Sequence, residues 1–198
     1  TFGMIRFCLT LFPDASKTFT PIIITLAVIS IIYGAFLAIG ATDIKRLIAY
    51  TSISHFGFIV LGIFVMTSHG ISGSSFYMVN HGFSTGALFL VMGYLVSRRG
   101  SKRISDFGGV QKVAPILTGV FLISGLSGLA LPGMSSFVSE FLVLTGAYAV
   151  NPTAAIIATF GIVLAAVYIL WLYQRMMTGV PSKEVEETVT EISKRELI

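Results

Sequence analysis

Two histidines and one carboxyl group stand out inside long apolar stretches of the chain: His55, His81 and Glu140. An ionisable group facing lipid costs several kcal/mol, so such groups usually face the interior of a helix bundle or a water-filled path. An imidazole titrates near neutral pH and can accept at one nitrogen while it donates from the other. Together with a carboxyl group, two imidazoles can pass protons through a membrane. The alternative is structural: a neutral acid that ties helices together, and histidines bonded to neighbouring hydroxyls.

Hydroxyl groups lie close in sequence to each of these three residues and can hold hydration water beside them. We predict this supporting role for Tyr50, Thr51, Ser54, Ser84 and Ser136.

The apolar stretch at residues 113–150 is too long for one straight transmembrane helix, because about 20 residues span a bilayer core. It contains Pro132, which removes a backbone hydrogen bond, and Gly133, which loosens the next turn. Backbone groups freed in this way are tolerated in a membrane only when they are buried in protein or line a wet cavity. The pattern predicts a helix broken in mid-membrane, as in ion and solute carriers. A proline kink and a helix hairpin are the alternatives.

The composition of the chain points to a membrane environment. Of its 198 residues, 55% are hydrophobic and only 11% are charged, and the mean hydropathy is +0.89, whereas soluble domains carry about 25% charged residues. We predict an all-α, polytopic transmembrane helix bundle of about six helices, one partial and one broken. The predicted segments are 1–12, 20–41, 47–66, 71–96, 113–150 and 152–177.

Basic residues cluster in two loops, 41–46 and 98–112, which the segment count places on the same side of the membrane. By the positive-inside rule this side is the cytoplasm. The net charge of +4 therefore reflects membrane topology, and we expect no binding to nucleic acid.

Residues 181–198 differ in composition from the transmembrane bundle predicted for residues 1–180. Val185, Val189 and Ile192 recur at helical spacing, which predicts an amphipathic helix on the membrane surface or on a neighbouring subunit. The alternative is a solvated cytoplasmic linker to a further transmembrane helix.

The sequence gives no sign of redox or metal chemistry in this chain. Its single cysteine, Cys8, excludes a disulfide framework and a cysteine-ligated cluster. His55 and His81 fall on different predicted helices without a spaced carboxylate motif, which does not make a metal site. Phosphate-binding glycine loops and nucleophile–base motifs are not found in the sequence either. We therefore expect no catalytic group, bound cofactor or metal here.

Three stretches resemble one family of membrane proteins: residues 43–57 (DIKRLIAYTSISHFG), 80–90 (NHGFSTGALFL) and 131–141 (LPGMSSFVSEF). They are similar to the antiporter-like subunits of respiratory complex I, and to related subunits of multisubunit sodium/proton antiporters and membrane-bound hydrogenases. A glutamate after the helix break resembles one branch of the complex I subunits, because the other branches and the antiporter relatives tend to carry lysine there. The resemblance covers essentially the whole chain.

This resemblance implies that the chain is a C-terminal fragment of a fourteen-helix antiporter-like fold built from two inverted repeats, each with a broken helix. Glu140 would match the acidic residue of the exit half-channel. His55 and His81 would match the histidines of a central hydrophilic axis. The family's other key groups, a glutamate and two lysines on earlier helices, would precede Thr1, so the fragment could not pump protons by itself.

The implied function is proton translocation by a membrane subunit of NADH-quinone oxidoreductase. Quinone reduction elsewhere in the complex would drive protons through buried Glu, His and Lys side chains and water. Flavin, iron–sulfur clusters, NADH and quinone would belong to partner subunits. The expected partners are other membrane-arm subunits, including other antiporter-like subunits, and the lipid bilayer of a bacterial inner membrane. The alternatives are a sodium/proton antiporter subunit of the same superfamily and a non-conducting structural membrane subunit.

Overall fold

The computed structural model describes residues 1–197, which form helices joined by short links. In chain order the elements are a π-helix at Met4–Leu9, α1 (Pro13–Ile39), α2 (Ile44–Phe64), α3 (Ser68–Arg99), a 3-10 turn at Ile104–Asp106, α4 (Val110–Val113), α5 (Pro115–Gly128), α6 (Ser135–Val150), α7 (Pro152–Met177), α8 (Lys183–Thr188) and α9 (Lys194–Leu197). The predicted all-α class is confirmed.

Four of these helices, α1, α2, α3 and α7, are long and apolar enough to cross a membrane, while α5 and α6 are shorter apolar helices. The predicted segment at 152–177 coincides with α7. Helix α1 begins before the predicted 20–41, and α3 extends beyond both ends of the predicted 71–96. Hydropathy marks only the part of a helix that matches the bilayer core, and these helices continue into polar residues at their ends. The first predicted segment, 1–12, contains the π-helix and ends just before α1.

Small residues bring α1 and α2 into backbone contact. A β-carbon added at Gly57 would lie 2.7 Å from the Ala27 carbonyl oxygen, and one at Gly34 would lie 2.7 Å from the Ser54 nitrogen. The Ser54 hydroxyl also donates to the Ile31 carbonyl oxygen at 2.9 Å. Glycine and serine at a helix crossing permit this close approach in a membrane. The crossing fixes which face of α2 is turned toward the rest of the bundle.

The two basic loops lie together at one end of the bundle. The Ile44 N–H donates to the Lys102 carbonyl oxygen, and the Ile104 N–H donates to the Thr42 carbonyl oxygen, both at 3.0 Å. Lys102 Nζ also lies 3.2 Å from Asp43 Oδ2. The two loops therefore share one end of the bundle, which agrees with their predicted placement on the same side. The assignment of that end to the cytoplasm stays a prediction.

Asp43 caps α2 at this end. Its carboxylate accepts the backbone N–H groups of Lys45 and Arg46, at 2.9 Å and 3.2 Å. Partial burial raises the pKa of Asp43, but the Arg46 N–H, the Lys102 ammonium and the Lys45 N–H together outweigh it, so the pKa lies below its ordinary value of 3.8. A carboxyl group whose pKa is lowered by folding stabilises the protein above its unfolded pKa, and this contribution is lost as the pH falls through the lowered value.

We predict that Asp43→Ala lowers the free energy of unfolding at neutral pH by roughly 0.5–1 kcal/mol, at the low end for a helix cap because the site is solvent-screened. Asp43→Asn is the matched control, since asparagine also caps helices but carries no charge, and we expect it to lose less. Thermal unfolding of the purified full-length protein in detergent, followed at several pH values, measures both. The difference between wild type and Asp43→Ala should shrink as the solution is acidified. A difference that is unchanged at acid pH contradicts the role of the ionised carboxylate.

The predicted segment at 113–150 is a broken helix and not a hairpin. Contacts along α3 follow the reverse of its chain order: Gly128 with Leu88, Ser135 with Asn80, and Gly146 with Gly70. α5 and α6 therefore continue in one direction, antiparallel to α3, and make a single crossing. That crossing leads from the end with the basic loops to the opposite end.

The first half of the crossing ends in a Schellman motif. The Ala130 N–H donates to the Ser127 carbonyl oxygen and the Leu131 N–H donates to the Leu126 carbonyl oxygen, both at 3.2 Å. Ala130 takes a positive φ of 55°, a left-handed conformation in which glycine is the usual residue. Two carbonyl groups at the end of α5 are thereby satisfied without water.

Pro132 and Gly133 lie in the exposed link that follows this motif. Helix α5 has already ended at Gly128, so Pro132 follows the helix end and does not interrupt a continuous helix. Gly133 has a φ of 103°, which favours glycine at this position. Pro132 and Gly133 thus lie in the link between the two halves of the broken helix, and the break begins earlier, in the turn around Ala130.

The tail packs on the end of the bundle that carries the basic loops. Val185 and Val189 are buried there, and Ile192 packs partly buried against the same core. The three residues face the core of this bundle, but they do not share one helix, because α8 ends at Thr188 and the chain between α8 and α9 is not helical. The tail therefore follows the surface of the bundle as an irregular segment with a short helix at either end.

Charged residues fasten this tail. The Glu191 carboxylate accepts the backbone N–H groups of Ile116 at 2.7 Å and Leu117 at 2.9 Å, at the start of α5. Arg98, in the last turn of α3, donates to Glu196 at 2.7 Å. Both bonds link the tail to helices of the bundle.

Candidate functional site

The structure brings His55, His81 and Glu140 together in the interior of the bundle. They lie on α2, α3 and α6 respectively, and Tyr77 of α3 lies among them. Their exposed fractions are 5% for His55, 8% for His81, 1% for Tyr77 and 3% for Glu140. Three helices thus converge on one buried group of four residues, which we call the His–Tyr–Glu cluster.

Tyr77 connects His55 to Glu140. Its hydroxyl lies 2.6 Å from His55 Nδ1 and donates a hydrogen bond to Glu140 Oε1. His55 Nδ1 and Glu140 Oε1 are themselves 3.9 Å apart, which is beyond hydrogen-bond distance. While the Tyr77 hydroxyl donates to an ionised Glu140, it can only accept from His55, so His55 Nδ1 must then carry a proton.

His81 continues the cluster on the other side of His55. The centroids of the two imidazole rings are 5.2 Å apart. The Ser52 hydroxyl lies 2.8 Å from His81 Nε2, and the Thr85 hydroxyl lies 3.1 Å from Nδ1. A hydroxyl can donate or accept, so either tautomer of His81 finds a partner at both nitrogens. Hydrogen-bonding groups therefore run from Thr85 to His81 and from His55 to Glu140. The gap between the two imidazole rings separates these two parts.

Helical spacing places these groups on facing surfaces. Ser52 and His55 are three residues apart on α2, while Tyr77, His81 and Thr85 follow one another at intervals of four on α3. Residues three or four apart share one face of a helix. The sequence therefore presents two polar stripes, and the packing of α2 against α3 brings the stripes together.

Helix α6 is held against α3 beside the cluster. A β-carbon at Gly73 would lie 2.8 Å from a side-chain carbon of α6, so only glycine permits this approach. Asn80 Nδ2 donates to the Ser135 carbonyl oxygen at 3.1 Å and to the Ser139 hydroxyl at 3.3 Å. These bonds fix the first turns of α6 and so position Glu140.

Two buried oxygens find no hydrogen-bond partner within residues 1–197: Glu140 Oε2 and the Tyr168 hydroxyl. A buried polar atom without a partner costs about 1–3 kcal/mol. Because Tyr77 occupies Glu140 Oε1, Oε2 is the carboxyl oxygen open to a proton or to water.

Most of the hydroxyls predicted from the sequence to support the path bind other groups. Thr51, Ser54 and Ser84 donate to backbone carbonyl oxygens, at 2.8 Å, 2.9 Å and 3.5 Å respectively. Tyr50 packs, partly buried, against the apolar core. A role for these four residues in proton transfer stays a prediction.

The predicted residues around the helix break shape the backbone. Ser136 Oγ lies 3.3 Å from Ser127 Oγ and so joins the two halves of the crossing. Pro132 and Gly133 lie exposed in the link between them. These residues define where α6, and with it Glu140, begins.

Tyr77, Ser52 and Thr85 are absent from the residues predicted from the sequence, although each contacts a predicted histidine. A signal for all three exists in their helical spacing from the histidines. A tyrosine or threonine in an apolar run is common, however, and spacing alone does not tell which face of a helix meets its neighbour.

Comparison with known proteins finds relatives among transmembrane subunits. The family model described as NADH:quinone oxidoreductase/Mrp antiporter, TM, matches residues 1–165. NADH-quinone oxidoreductase subunit M of Mycobacterium tuberculosis is 59% identical over 198 residues, which is 100% of this chain and 36% of the relative. NADH-ubiquinone oxidoreductase chain 4 of Marchantia polymorpha is 42% identical over 179 residues, covering 90% of this chain and 36% of the relative. The chain thus spans about a third of the length of the curated relatives it matches.

Solved structures show the same fold. A chain of respiratory complex I from Thermus thermophilus with bound NADH superposes with a TM-score of 0.94 and 34% identity, over 99% of this chain and 41% of that one. A chain of the Mrp complex from a Dietzia species superposes with a TM-score of 0.86 over 91% of this chain and 34% of that one, at 23% identity, which is a likeness of fold alone. The relative from Mycobacterium tuberculosis carries the name subunit M, which agrees with the resemblance of the sequence to one branch of the complex I subunits.

Proposed function

Because the chain belongs to the NADH:quinone oxidoreductase/Mrp antiporter transmembrane family, we propose that it is part of a subunit M of NADH-quinone oxidoreductase and moves protons through its membrane interior. The observation that carries this proposal is the buried contact of Glu140 with His55 through one hydroxyl. A carboxylic acid and imidazoles that are buried together between three helices can exchange protons. Packing does not require these groups, because apolar side chains would fill the same core.

The position of Glu140 gives the path a direction. The basic loops lie at the end where α5 begins, and α6 leads from the break to the opposite end. Glu140 lies on α6, beyond the break, so a proton that it releases leaves away from the basic loops. With those loops in the cytoplasm, as the positive-inside rule predicts, His81 and His55 supply the proton and Glu140 passes it outward.

Energy for this movement must come from outside the cluster. Moving one charge against the membrane potential costs about 2.3 kcal/mol per 100 mV. A coupled system provides that energy only if its two states interact differently with the transported charge. We assign the driving reaction, quinone reduction by NADH with its flavin and iron–sulfur clusters, to partner subunits in the same complex. This chain contributes proton carriers to the translocase and no redox group, and its other partners are antiporter-like membrane-arm subunits and the lipid of a bacterial inner membrane.

The proposal is tested with inverted membrane vesicles that contain the complex with the full-length protein. The triple variant His55→Gln, His81→Gln, Glu140→Gln should assemble, and the number of protons pumped per NADH oxidised should fall. Adding sodium or a sodium ionophore should leave pumping by the wild type unchanged. Unchanged pumping in the triple variant would mark the chain as a structural subunit, and sodium-dependent pumping would mark it as a sodium/proton antiporter subunit.

A further inference from the structure

The hydroxyl of Tyr77 is the group that joins His55 to Glu140. It contacts His55 Nδ1 at 2.6 Å and bonds to Glu140 Oε1, while the imidazole and the carboxylate are 3.9 Å apart. A proton cannot pass between hydrogen-bonding groups at that separation without an intermediate. The structure supplies one intermediate, and it is a side chain.

Packing holds the Tyr77 ring in place. Its centroid lies 5.8 Å from that of His55, in an edge arrangement with an interplanar angle of 75°, and 6.3 Å from that of Phe58. Tyr77 is among the largest fully buried side chains, within a cluster of apolar residues from α1, α2 and α6. A ring packed in this way cannot swing aside, so its hydroxyl has a fixed position between its two partners.

We propose that Tyr77 carries the proton between His55 and Glu140. The inference rests on the proposed function and adds the residue through which the transfer occurs. The step starts with His55 protonated on both nitrogens, neutral Tyr77 and ionised Glu140. The Nδ1–H bond of His55 breaks as a new O–H bond forms on Tyr77, and the former O–H bond of Tyr77 breaks as one forms on Glu140 Oε1. It ends with neutral His55, neutral Tyr77 and protonated Glu140, so one proton has moved and the phenol carries no net charge.

The transfer reverses both hydrogen bonds of Tyr77. Before it, His55 Nδ1 donates to the hydroxyl and the hydroxyl donates to Glu140. After it, the Glu140 carboxylic acid donates to the hydroxyl and the hydroxyl donates to His55 Nδ1, which leaves the remaining ring proton of His55 on Nε2. The tautomer of His55 is therefore set by whether Glu140 holds a proton.

Tyr77→Phe removes the bridge and keeps the ring that packs. Position-matched general acid–base groups typically contribute 10²–10⁴-fold to a proton transfer, so we expect the rate of NADH-driven proton pumping per assembled complex to fall by about 10-fold or more. Tyr173→Phe is the matched control, because Tyr173 is a partly buried tyrosine that stacks on Phe121 and bonds to no member of the His–Tyr–Glu cluster. Pumping by Tyr173→Phe should stay at the wild-type rate.

A second variant keeps the test decisive if Tyr77→Phe does not assemble. Difluorotyrosine in place of Tyr77 preserves the shape of the side chain and makes its hydroxyl more acidic. The alkaline limb of the pH profile of pumping should then move to lower pH, whereas the same replacement at Tyr173 should leave the profile unchanged. A purely structural role for Tyr77 predicts no such movement.

The variants of Glu140 separate this inference from the proposed function. If Glu140→Gln stops pumping and the two Tyr77 variants pump as the wild type does, the bridge is wrong and the function stands. If Glu140→Gln pumps normally, the proposed function itself fails. Equal losses in Tyr77→Phe and Tyr173→Phe would also overturn the bridge, because the hydroxyl of Tyr77 connects the cluster and that of Tyr173 bonds to no member of it.

Discussion

Replacing Glu140 by glutamine is expected to abolish proton pumping, or to reduce it at least about 10-fold, in the complex that contains the full-length protein. Glutamine has nearly the same shape, and its amide can still accept the hydrogen bond from Tyr77. It cannot take up and release a proton at neutral pH. Since Glu140 is buried between α3 and α6 with Oε1 bound to Tyr77, the substitution should leave the packing intact and remove one carrier from the path.

Pumping is measured in inverted vesicles as NADH-driven acidification, normalised to the amount of intact complex on a native gel. Glu187→Gln makes the same chemical change on an exposed residue of the tail and should pump as the wild type does. Normal pumping by Glu140→Gln at wild-type levels of complex would remove Glu140 from the path.

Of the single substitutions predicted for this protein, Gly57→Leu is expected to lower the free energy of unfolding most. A β-carbon at Gly57 would lie 2.7 Å from the Ala27 carbonyl oxygen and 2.9 Å from the Ile31 nitrogen. These are backbone atoms that cannot rotate away, so α1 and α2 must separate to admit any side chain. Overpacking typically lowers the free energy of unfolding by about 1–3 kcal/mol. We expect a loss at or above the upper end of this range, because the branched leucine side chain would meet backbone atoms. Because α2 also carries His55, pumping should be lost along with the fold.

The amount of full-length protein in the membrane and its thermal unfolding in detergent measure this effect. Gly93→Leu is the matched control, because no atom lies within 4 Å of a β-carbon at Gly93 in the described part of the chain. Gly93→Leu should accumulate normally. Equal stability of the two variants would show that the close crossing of α1 and α2 is not required.

Apolar context was enough to find three members of the His–Tyr–Glu cluster from the sequence. His55, His81 and Glu140 stand out because burying an ionisable group inside a membrane is costly, and the structure brings the three together. Tyr77 does not stand out, because a phenol fits an apolar core as readily as a polar site. Its role depends on α2, α3 and α6 meeting at one point, which no local pattern encodes.

The serines of α2 show how helical phase separates neighbours. Ser54 adjoins His55 in sequence, yet its side chain points about 100° away around the helix and bonds to α1. Ser52 is three residues before His55, on the same face, and reaches His81. Proximity along the chain led to the prediction of Ser54 beside the histidines, whereas the helical period places Ser52 there.

The helix break was predictable in kind but not in detail. Pro132 and Gly133 mark the link, but α5 ends before them because Ala130 adopts the left-handed conformation. Alanine seldom adopts this conformation, and the sequence around Ala130 does not indicate it. The hydrogen bonds of the motif and the packing of α5 against α3 hold it there.

The hydrogen bonds between Glu191 and the start of α5 have a mechanical consequence. The tail anchors the outer end of α5 and, through Arg98 and Glu196, ties that anchor to the last turn of α3. The inner end of α5 meets α6 at the link around Ala130, where helical hydrogen bonding is interrupted. Because helical hydrogen bonding is interrupted at this link, we expect the crossing to bend there more easily than within α5 or α6.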